Sequence, residues 1–261
     1  SDSKTIIDKY PNPAKELGKY YDGAVYGDIW GFETVGIASS QAEMDAHLAK
    51  ADQSYCGSNW TAGDIMYADI NGDRVVDEGE YTADNHGDLK IIGNSTPRYN
   101  FGLNFDFAYK GFDLKLFFQG TLKRDYMAGS ATFWGATGTG KWQALGFTAH
   151  SDYWTPENTD AYYPRPDWGG WRNTWTQTRY LQNAAYCRLK NVTLGYTLPS
   201  RLTQKIYVQN LRLFVSAENL LTITKFTDIS DPELIGAGYG GNLGKTYPLS
   251  KTVSFGVSVT F

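Results

Sequence analysis

The sequence has few of the residues on which several classes of protein depend. Only two of its 261 residues are cysteines, Cys56 and Cys187, which are too few for a disulfide framework and lack metal-ligand spacing. It has no run of about 18 apolar residues, which excludes a membrane-spanning helix but not a membrane-spanning β-strand. Its Lys and Arg residues are scattered and its formal net charge is −4, so we predict no binding of nucleic acid.

Catalytic motifs are equally scarce. The three histidines are isolated from one another, and no metalloprotease, nucleophile-elbow or phosphate-binding motif is present. Acidic pairs such as Asp152 and Glu157 have the residue types of a glycosidase dyad, although the sequence alone gives no distance between their carboxyl groups. We therefore predict that the protein is not an enzyme. The alternative, a glycosidase site in a loop, predicts a hydrolytic activity that the substitution Glu157→Gln abolishes.

Aromatic residues and glycine are abundant, and they follow the two-residue period of β-strands. The chain has 19 Tyr, 13 Phe, 8 Trp and 28 Gly residues, a composition typical of turn-rich β-structure. From Arg98 to Tyr109 every second residue is apolar, and the residues between them are polar or small. Lys110 and Gly111 leave room only for a tight turn before the same pattern resumes at Phe112. These two segments predict an antiparallel hairpin.

Three further segments alternate in the same way. They begin near Tyr186, Leu211 and Thr252, and the last ends with Val253, Phe255, Val257, Val259 and Phe261 on one side. The connections alternate between short and long, the long ones being residues 127–179 and 227–249. Short turns at one end and long loops at the other are typical of transmembrane β-barrels. We therefore predict an all-β fold: antiparallel strands of a transmembrane barrel with long extracellular loops.

We predict two regions. Residues 98–261 contain the C-terminal barrel strands and their loops. Residues 1–97 contain one barrel strand, from Gly27 to Ile37, and an extracellular loop region. Within this loop region Ser40 and Glu43 have the spacing of a capping box, which predicts a short helix.

A possible calcium loop lies in residues 69–80, which read D-I-N-G-D-R-V-V-D-E-G-E. Positions 1, 3, 5, 7, 9 and 12 of a calcium-binding loop are occupied by Asp69, Asn71, Asp73, Val75, Asp77 and Glu80. The sixth position, where a sharp turn favours glycine, is Arg74, and a positive φ there costs about 1 kcal/mol. We expect either a structural Ca²⁺ ion or a metal-free turn rich in Asp and Asn.

Tryptophan is concentrated in the first long connection, together with tyrosine. Exposed aromatic rings of this kind can bind sugar faces or peptide side chains, and they can equally pack the loop or lie at a membrane interface. The candidate substrate-binding residues are Trp142, Trp168, Trp171 and Trp175.

Six stretches carry a resemblance to a known family, in that family's order and over nearly the whole chain. They are G-D-I-W-G-F-E-T-V-G-I, G-D-I-M-Y-A-D-I-N-G-D, I-I-G-N-S-T-P-R-Y-N-F-G-L-N, Y-K-G-F-D-L-K-L-F-F-Q-G, D-Y-W-T-P-E-N-T-D-A-Y-Y-P-R and L-Q-N-A-A-Y-C-R-L-K-N-V-T-L-G-Y-T-L-P. On these stretches the chain resembles the C-terminal part of a SusC/RagA-family outer-membrane protein, a TonB-dependent transporter of Bacteroidetes.

The resemblance implies a 22-stranded barrel in the bacterial outer membrane, with an N-terminal plug that is absent from this chain. It also implies energy from the TonB complex, a SusD-like surface lipoprotein as partner, and import of oligosaccharides or peptides. Even the smallest bacterial barrel has about eight strands, and we count five strands from Arg98 onward and one before it. We therefore expect the chain to be a fragment whose outer strands pair with the N-terminal barrel of the same transporter.

A secreted all-β carbohydrate-binding module is the alternative. In such a sandwich the same alternation would bury one face of each strand against a second sheet. The dense row of rings from Phe101 to Tyr109 and the unequal loop lengths favour the barrel.

Overall fold

The structure is a computed structural model that describes residues 4–138, 146–236, 247 and 249–261. The described residues form eleven β-strands: β1 (Asp28–Phe32), β2 (Thr34–Ile37), β3 (Ile65–Tyr67), β4 (Leu89–Asn94), β5 (Arg98–Tyr109), β6 (Phe112–Lys123), β7 (Asp125–Met127), β8 (Leu181–Asn183), β9 (Tyr186–Thr197), β10 (Asn210–Thr224) and β11 (Thr252–Thr260). They also form three α-helices: α1 (Gln41–Leu48), α2 (Ala131–Trp134) and α3 (Ser200–Thr203). No helix in the described part of the chain is long and apolar enough to cross a membrane.

Five long strands form one antiparallel sheet in the order β11-β10-β9-β6-β5. Strands β5 and β6 have twelve residues each, and they are joined by Lys110 and Gly111, whose φ angles are 46° and 87°. Two consecutive positive φ angles define the turn whose twist matches paired strands, which explains the glycine at the second position. The predicted hairpin and the three further strands are all present.

A β-bulge in β9 explains an irregularity in the sequence pattern. Arg188 and Lys190 have the same parity as the apolar residues Leu194 and Tyr196. In the pairing with β6, Asn191 faces Phe117 and Leu189 faces Phe118, so that Lys190 is the extra residue. A bulge interrupts the alternation, so that residues before and after it with the same parity lie on opposite sides of the sheet. Arg188 therefore lies on the polar side of the sheet, and Leu189 lies on the apolar side.

The segment from Gly27 to Ile37, predicted as one barrel strand, is divided in two. Its first half, β1, pairs with β4, and its second half, β2, pairs with β3, in two separate two-stranded sheets. Phe32 at the end of β1 is fully buried, and Glu33 at the break forms an ion pair with Lys90. Each half thus finds its partner within the loop region, and neither pairs with the five-stranded sheet.

The predicted short helix is confirmed as α1. The Oγ of Ser40 accepts a hydrogen bond from the backbone N–H of Glu43 at 3.2 Å, as an N-cap should. The Glu43 carboxylate accepts hydrogen bonds from the backbone N–H of Ser39 at 2.8 Å and from its hydroxyl. The return contact of the capping box therefore reaches Ser39, the residue before the cap.

The hydrophobic core lies among the loops, and the five-stranded sheet contributes little to it. The largest fully buried side chains come from both the region before β5 and the connection between β6 and β9. They include Tyr67, Tyr180, Phe32, Phe133 and Met44. The long loops therefore pack with the first region into one body, which we call the loop body: residues 4–97, 124–138, 146–185 and 225–236.

Candidate functional site

One side of the five-stranded sheet is apolar and uncovered. The exposed fractions of Phe105, Phe107 and Phe255 are 43%, 57% and 82%. Cross-strand pairs continue this surface across the sheet, since Phe105 lies opposite Leu116 and Val215 lies opposite Phe255. A water-soluble protein rarely exposes so large a contiguous apolar surface without a partner or a membrane against it.

The opposite side of the sheet is polar and carries ion pairs. Near the short turns, Arg212 on β10 binds Asp113 on β6 through two contacts, Nε to Oδ1 at 2.9 Å and Nη2 to Oδ2 at 2.5 Å. Gly195 of β9 lies between them, and a Cβ atom there would come within 2.4 Å of both side chains. The glycine thus makes room for a two-pronged charge pair that bridges across a strand.

Farther along the same side, Arg188 is the centre of a charged network. Its guanidinium contacts Asp231 at 2.5 Å and Glu233 at 2.6 Å, and its Nε donates to the Thr222 hydroxyl at 2.8 Å. The side chain of Arg188 is only 3% exposed. Lys190, the bulge residue, adds a contact of 2.7 Å to Glu233. A charge so deeply buried requires this set of partners.

The network holds residues 226–236, the segment that follows β10, against the polar side of the sheet, and further contacts join this segment to the rest of the loop body. Arg124 donates from Nη2 to the carbonyl oxygens of Ile235, at 3.2 Å, and Gly236, at 2.6 Å. The Phe226 ring packs edge-on against Tyr126 at 5.9 Å, and Phe226 and Ile235 are buried. This segment is therefore fixed by charge at its middle and by apolar burial at both ends.

The four candidate tryptophans fall into different environments. Trp168 and Trp171 are 58% and 68% exposed, whereas Trp175 is partly buried and its Nε1 donates to the carbonyl oxygen of Cys56 at 2.8 Å. Trp142 lies outside the described residues. The structure therefore presents two of these rings to solvent and packs a third against the core.

The segment that carries the exposed tryptophans is anchored by a buried carboxylate. Asp64 is fully buried, and it accepts hydrogen bonds from Arg172 Nε at 3.0 Å and Asn173 Nδ2 at 2.9 Å. Arg172 also pairs with Asp167 at 2.5 Å, next to Trp168. Trp168 and Trp171 thus project from a segment whose backbone is held by charged hydrogen bonds.

The predicted calcium loop has the backbone turn that its motif requires. Arg74, at the sixth position, has φ 71°. The two carboxylate oxygens of Asp69 accept hydrogen bonds from the backbone N–H groups of Gly72, at 2.6 Å, and Arg74, at 2.9 Å. Asp73 likewise accepts from Val75 at 2.8 Å. Among the described residues, no three acidic, histidine or cysteine side chains converge as a metal-ligating group.

Asp88 closes the same loop from outside the motif. Its carboxylate is fully buried and accepts hydrogen bonds from the backbone N–H groups of Ile70 at 2.6 Å, Asn71 at 3.2 Å and Asp77 at 3.1 Å. Burial raises the pKa of Asp88, and the three backbone hydrogen bonds oppose that increase. The motif alone did not indicate this residue, because it lies eight positions beyond the motif's end.

Cys56 and Asp152 have structural surroundings. Cys56 and Cys187 are both free thiols, and burial raises the pKa of Cys56 to about 12, which makes its thiol unreactive. The Asp152 carboxylate accepts hydrogen bonds from Asn158 and from the backbone of Tyr162, both at 3.2 Å, within its own loop.

Comparison with known proteins relates the sequence of this chain to TonB-dependent receptors. No family model matches the chain. TonB-dependent receptor P3 of Formosa agariphila is 30% identical over 253 residues, which are 92% of this chain and 22% of the receptor. TonB-dependent receptor P26 of the same organism is 28% identical over 88% of this chain and 22% of its own length. The chain therefore spans about a fifth of the length of these curated relatives.

The fold agrees with this relationship. The structure of the RagAB peptide transporter superposes with a TM-score of 0.63 and 24% identity over 99% of this chain and 24% of that chain. The RagAB peptide importer in its closed-closed state gives 0.62, again with 24% identity, over 97% of this chain. At this identity the likeness concerns the fold, a strand-rich segment of a larger barrel. By sequence the chain is therefore similar to a segment of TonB-dependent receptors, and by fold it is similar to a segment of the RagAB transporters, in agreement with the resemblance to the SusC/RagA family.

Proposed function

We propose that the complete protein imports oligosaccharides or peptides across the bacterial outer membrane, and that this transport depends on TonB. The single observation that carries this proposal is the uncovered apolar side of the five-stranded sheet, opposite a polar side with buried ion pairs. In a barrel wall the apolar side contacts lipid and the polar side lines the lumen. The relatives, which are TonB-dependent receptors, support the same function.

A SusD-like surface lipoprotein is the proposed partner, together with the TonB complex and the remaining barrel and plug of the same transporter. The loop body supports this partner because it is a packed structure that presents exposed rings at the long-loop end. Trp168 and Trp171 are the candidates for contact with the substrate, as is Trp142. Co-purification of a lipoprotein with the full-length transporter from outer membranes tests the partnership.

We also propose that residues 69–80 bind one structural Ca²⁺ ion. The positive φ of Arg74 supports this proposal, since it gives the turn that brings both ends of the loop together. Each carboxylate oxygen that accepts a backbone hydrogen bond retains a second lone pair for a cation. The ion would stabilise the loop, and it would take no part in transport.

Spin labelling of the full-length transporter in lipid tests the membrane orientation. Single cysteines replace Phe105 on the apolar side and Asp106 on the polar side, and the nitroxide is probed with oxygen and with a water-soluble nickel complex. We expect a label at position 105 to favour oxygen and one at 106 to favour nickel. Wild-type protein measures any reaction of Cys56 and Cys187. Equal nickel accessibility at both positions would contradict the proposal.

Deletion of the gene in its native host tests the transport step itself. We expect the deletion strain to lose uptake of one nutrient class, either fluorescently labelled oligosaccharides or labelled peptides, and the wild-type gene to restore it. A strain that imports both classes at the wild-type rate would exclude the function. Hydrolysis of oligosaccharides by the purified protein would instead favour a glycosidase.

A further inference from the structure

An aromatic cleft lies in the loop body, away from the candidate tryptophans Trp168 and Trp171. A cavity of about 560 Å³ is lined by residues of the first 30 positions together with Tyr81 and Ser95. A second cavity, of about 160 Å³, adjoins it, because Trp30 and Tyr81 line both, and it extends to Trp175. The larger cavity alone has the volume of a small-ligand site.

The rings in this cleft are available to a ligand. Tyr10, Tyr20 and Tyr81 are each 40–42% exposed, although their rings are large apolar surfaces. Tyr10 and Tyr20 pack edge to face at 5.9 Å, which fixes their orientation. Among the described residues, the hydroxyl groups of Tyr10, Tyr21 and Tyr81 have no hydrogen-bond partner. The cleft therefore offers ring faces and free hydroxyl groups together.

Tyr81 holds its position by an unusual backbone conformation. Its φ is 55°, in the left-handed region that few residues other than glycine adopt. Its carbonyl oxygen accepts a hydrogen bond from the N–H of Leu17 at 2.9 Å, and its own N–H donates to the carbonyl oxygen of Glu78 at 2.9 Å. Strain of this kind is concentrated at binding sites, where surrounding contacts maintain it. Here it places the ring where both cavities meet.

The charged side chains of the cleft, Lys19 and Asp28, already have polar partners. The Lys19 ammonium lies 2.6 Å from the Glu16 carboxylate, and the Asp28 carboxylate accepts a hydrogen bond from Asn94 Nδ2 at 2.8 Å. A ligand with a strong charge of either sign would compete with these contacts. The cleft thus favours a neutral ligand that has both flat apolar faces and many hydroxyl groups.

We propose that this cleft is a binding subsite for a neutral oligosaccharide, with Tyr10, Trp30 and Tyr81 stacking on sugar rings and the tyrosine hydroxyls bonding to sugar hydroxyls. The inference rests on the proposed transport function, and it selects the carbohydrate class for this subsite. An extended peptide would use rows of backbone donors and acceptors, as at a sheet edge. The cleft offers side-chain hydroxyls in their place.

Binding to the purified full-length transporter tests the subsite. Isothermal titration uses five neutral hexasaccharides, namely maltohexaose, cellohexaose, laminarihexaose, mannohexaose and xylohexaose, and the uncharged capped peptide (Gly-Ser)₃. We expect at least one hexasaccharide to bind with a Kd below about 1 mM. Tyr81→Phe removes one hydroxyl and is expected to weaken binding about 2- to 10-fold. Tyr10→Ala removes a ring and is expected to weaken it further.

The matched controls are Tyr207→Phe and Tyr207→Ala, since Tyr207 is 92% exposed and lies outside both cavities. Both controls are expected to bind like the wild type. The inference fails if no hexasaccharide binds at concentrations up to about 10 mM, if the cleft variants bind like the controls, or if only the peptide binds. Nutrient uptake in the deletion strain is measured separately, so a failed subsite leaves the transport function intact.

Discussion

The Nη1 of Arg188 lies 2.6 Å from Oε2 of Glu233, across 45 residues of chain, and joins the polar side of the sheet to the segment that follows β10. The Glu233 carboxylate also forms an ion pair with the Lys190 ammonium, at 2.7 Å, so it binds two cationic side chains. Lys190 is the extra residue of the β-bulge in its strand.

Loss of this carboxylate is expected to release residues 226–236. In Glu233→Gln the buried Arg188 keeps Asp231 as its one anionic partner among the described residues, and breaking a buried pair costs about 3–5 kcal/mol. We expect faster hydrogen exchange across residues 226–236 in the full-length transporter. Lys115→Ala is the control, because Lys115 pairs with Asp106 at 3.9 Å in an exposed position. Unchanged exchange in Glu233→Gln would show that apolar burial alone holds the segment.

The two sides of β5 are expected to respond oppositely to a positive charge. Leu103→Arg places the charge on the apolar side and is expected to destabilise the barrel by about 2–4 kcal/mol near the bilayer midplane. Asn104→Arg, the next residue, places it on the polar side and is expected to have little effect. Urea unfolding of the two variants in lipid vesicles measures the difference. Equal destabilisation would contradict a lipid-facing apolar side.

Calcium is expected to bind weakly to residues 69–80. An exposed structural site predicts a Kd of about 10⁻⁴–10⁻³ M. Titration calorimetry of the full-length transporter measures the binding, and Asp73→Ala, which removes one predicted ligand, should abolish it. Asp84→Ala lies just beyond the loop and pairs with Lys15, so it controls for lost negative charge. If the wild type gives no binding heat at millimolar Ca²⁺, residues 69–80 form a metal-free turn and the calcium proposal is wrong.

The region around α1 is expected to lose stability as the pH falls. Burial lowers the pKa of His47, although its hydrogen bond to Gln53 at 3.1 Å opposes the decrease. The unfolded chain, with a histidine pKa of about 6.5, then binds more protons than the folded one, so stability falls as the pH drops below that value. Hydrogen exchange of α1, corrected for intrinsic rates, measures this. His47→Gln should remove the pH dependence.

Local chemistry made part of the fold predictable. The hairpin of β5 and β6 follows from an unbroken two-residue period and a two-residue turn with glycine, and the N-cap of α1 follows from Ser40. Distant partners made the rest unpredictable. Gly27 to Ile37 has a strand pattern, yet its partners lie 28 or more residues away in β3 and β4, and no local signal identifies them.

The same distinction applies to the candidate site. The acidic motif predicted the position of Asp69 but not that of Asp88, whose contacts arise from folding. The sequence shows that the two-residue alternation fails at Arg188. The cause, a bulge at Lys190, is seen in the structure. Neither the Arg188 network nor the aromatic cleft follows from spacing, because each joins side chains from separate segments.

The position of the hydrophobic core gives the loop body and the five-stranded sheet different tolerance to mutation. In the loop body, Phe32 and Tyr67 pack ring against ring at 5.5 Å, so a change of side-chain shape leaves a void or a clash. In the proposed membrane orientation, Phe107 and Phe255 of the sheet contact fluid hydrocarbon chains, which adjust to apolar side chains of different shape. Relatives should therefore exchange Phe, Leu and Val freely on the sheet while they conserve shape in the loops, the reverse of what is usual for a barrel's loops.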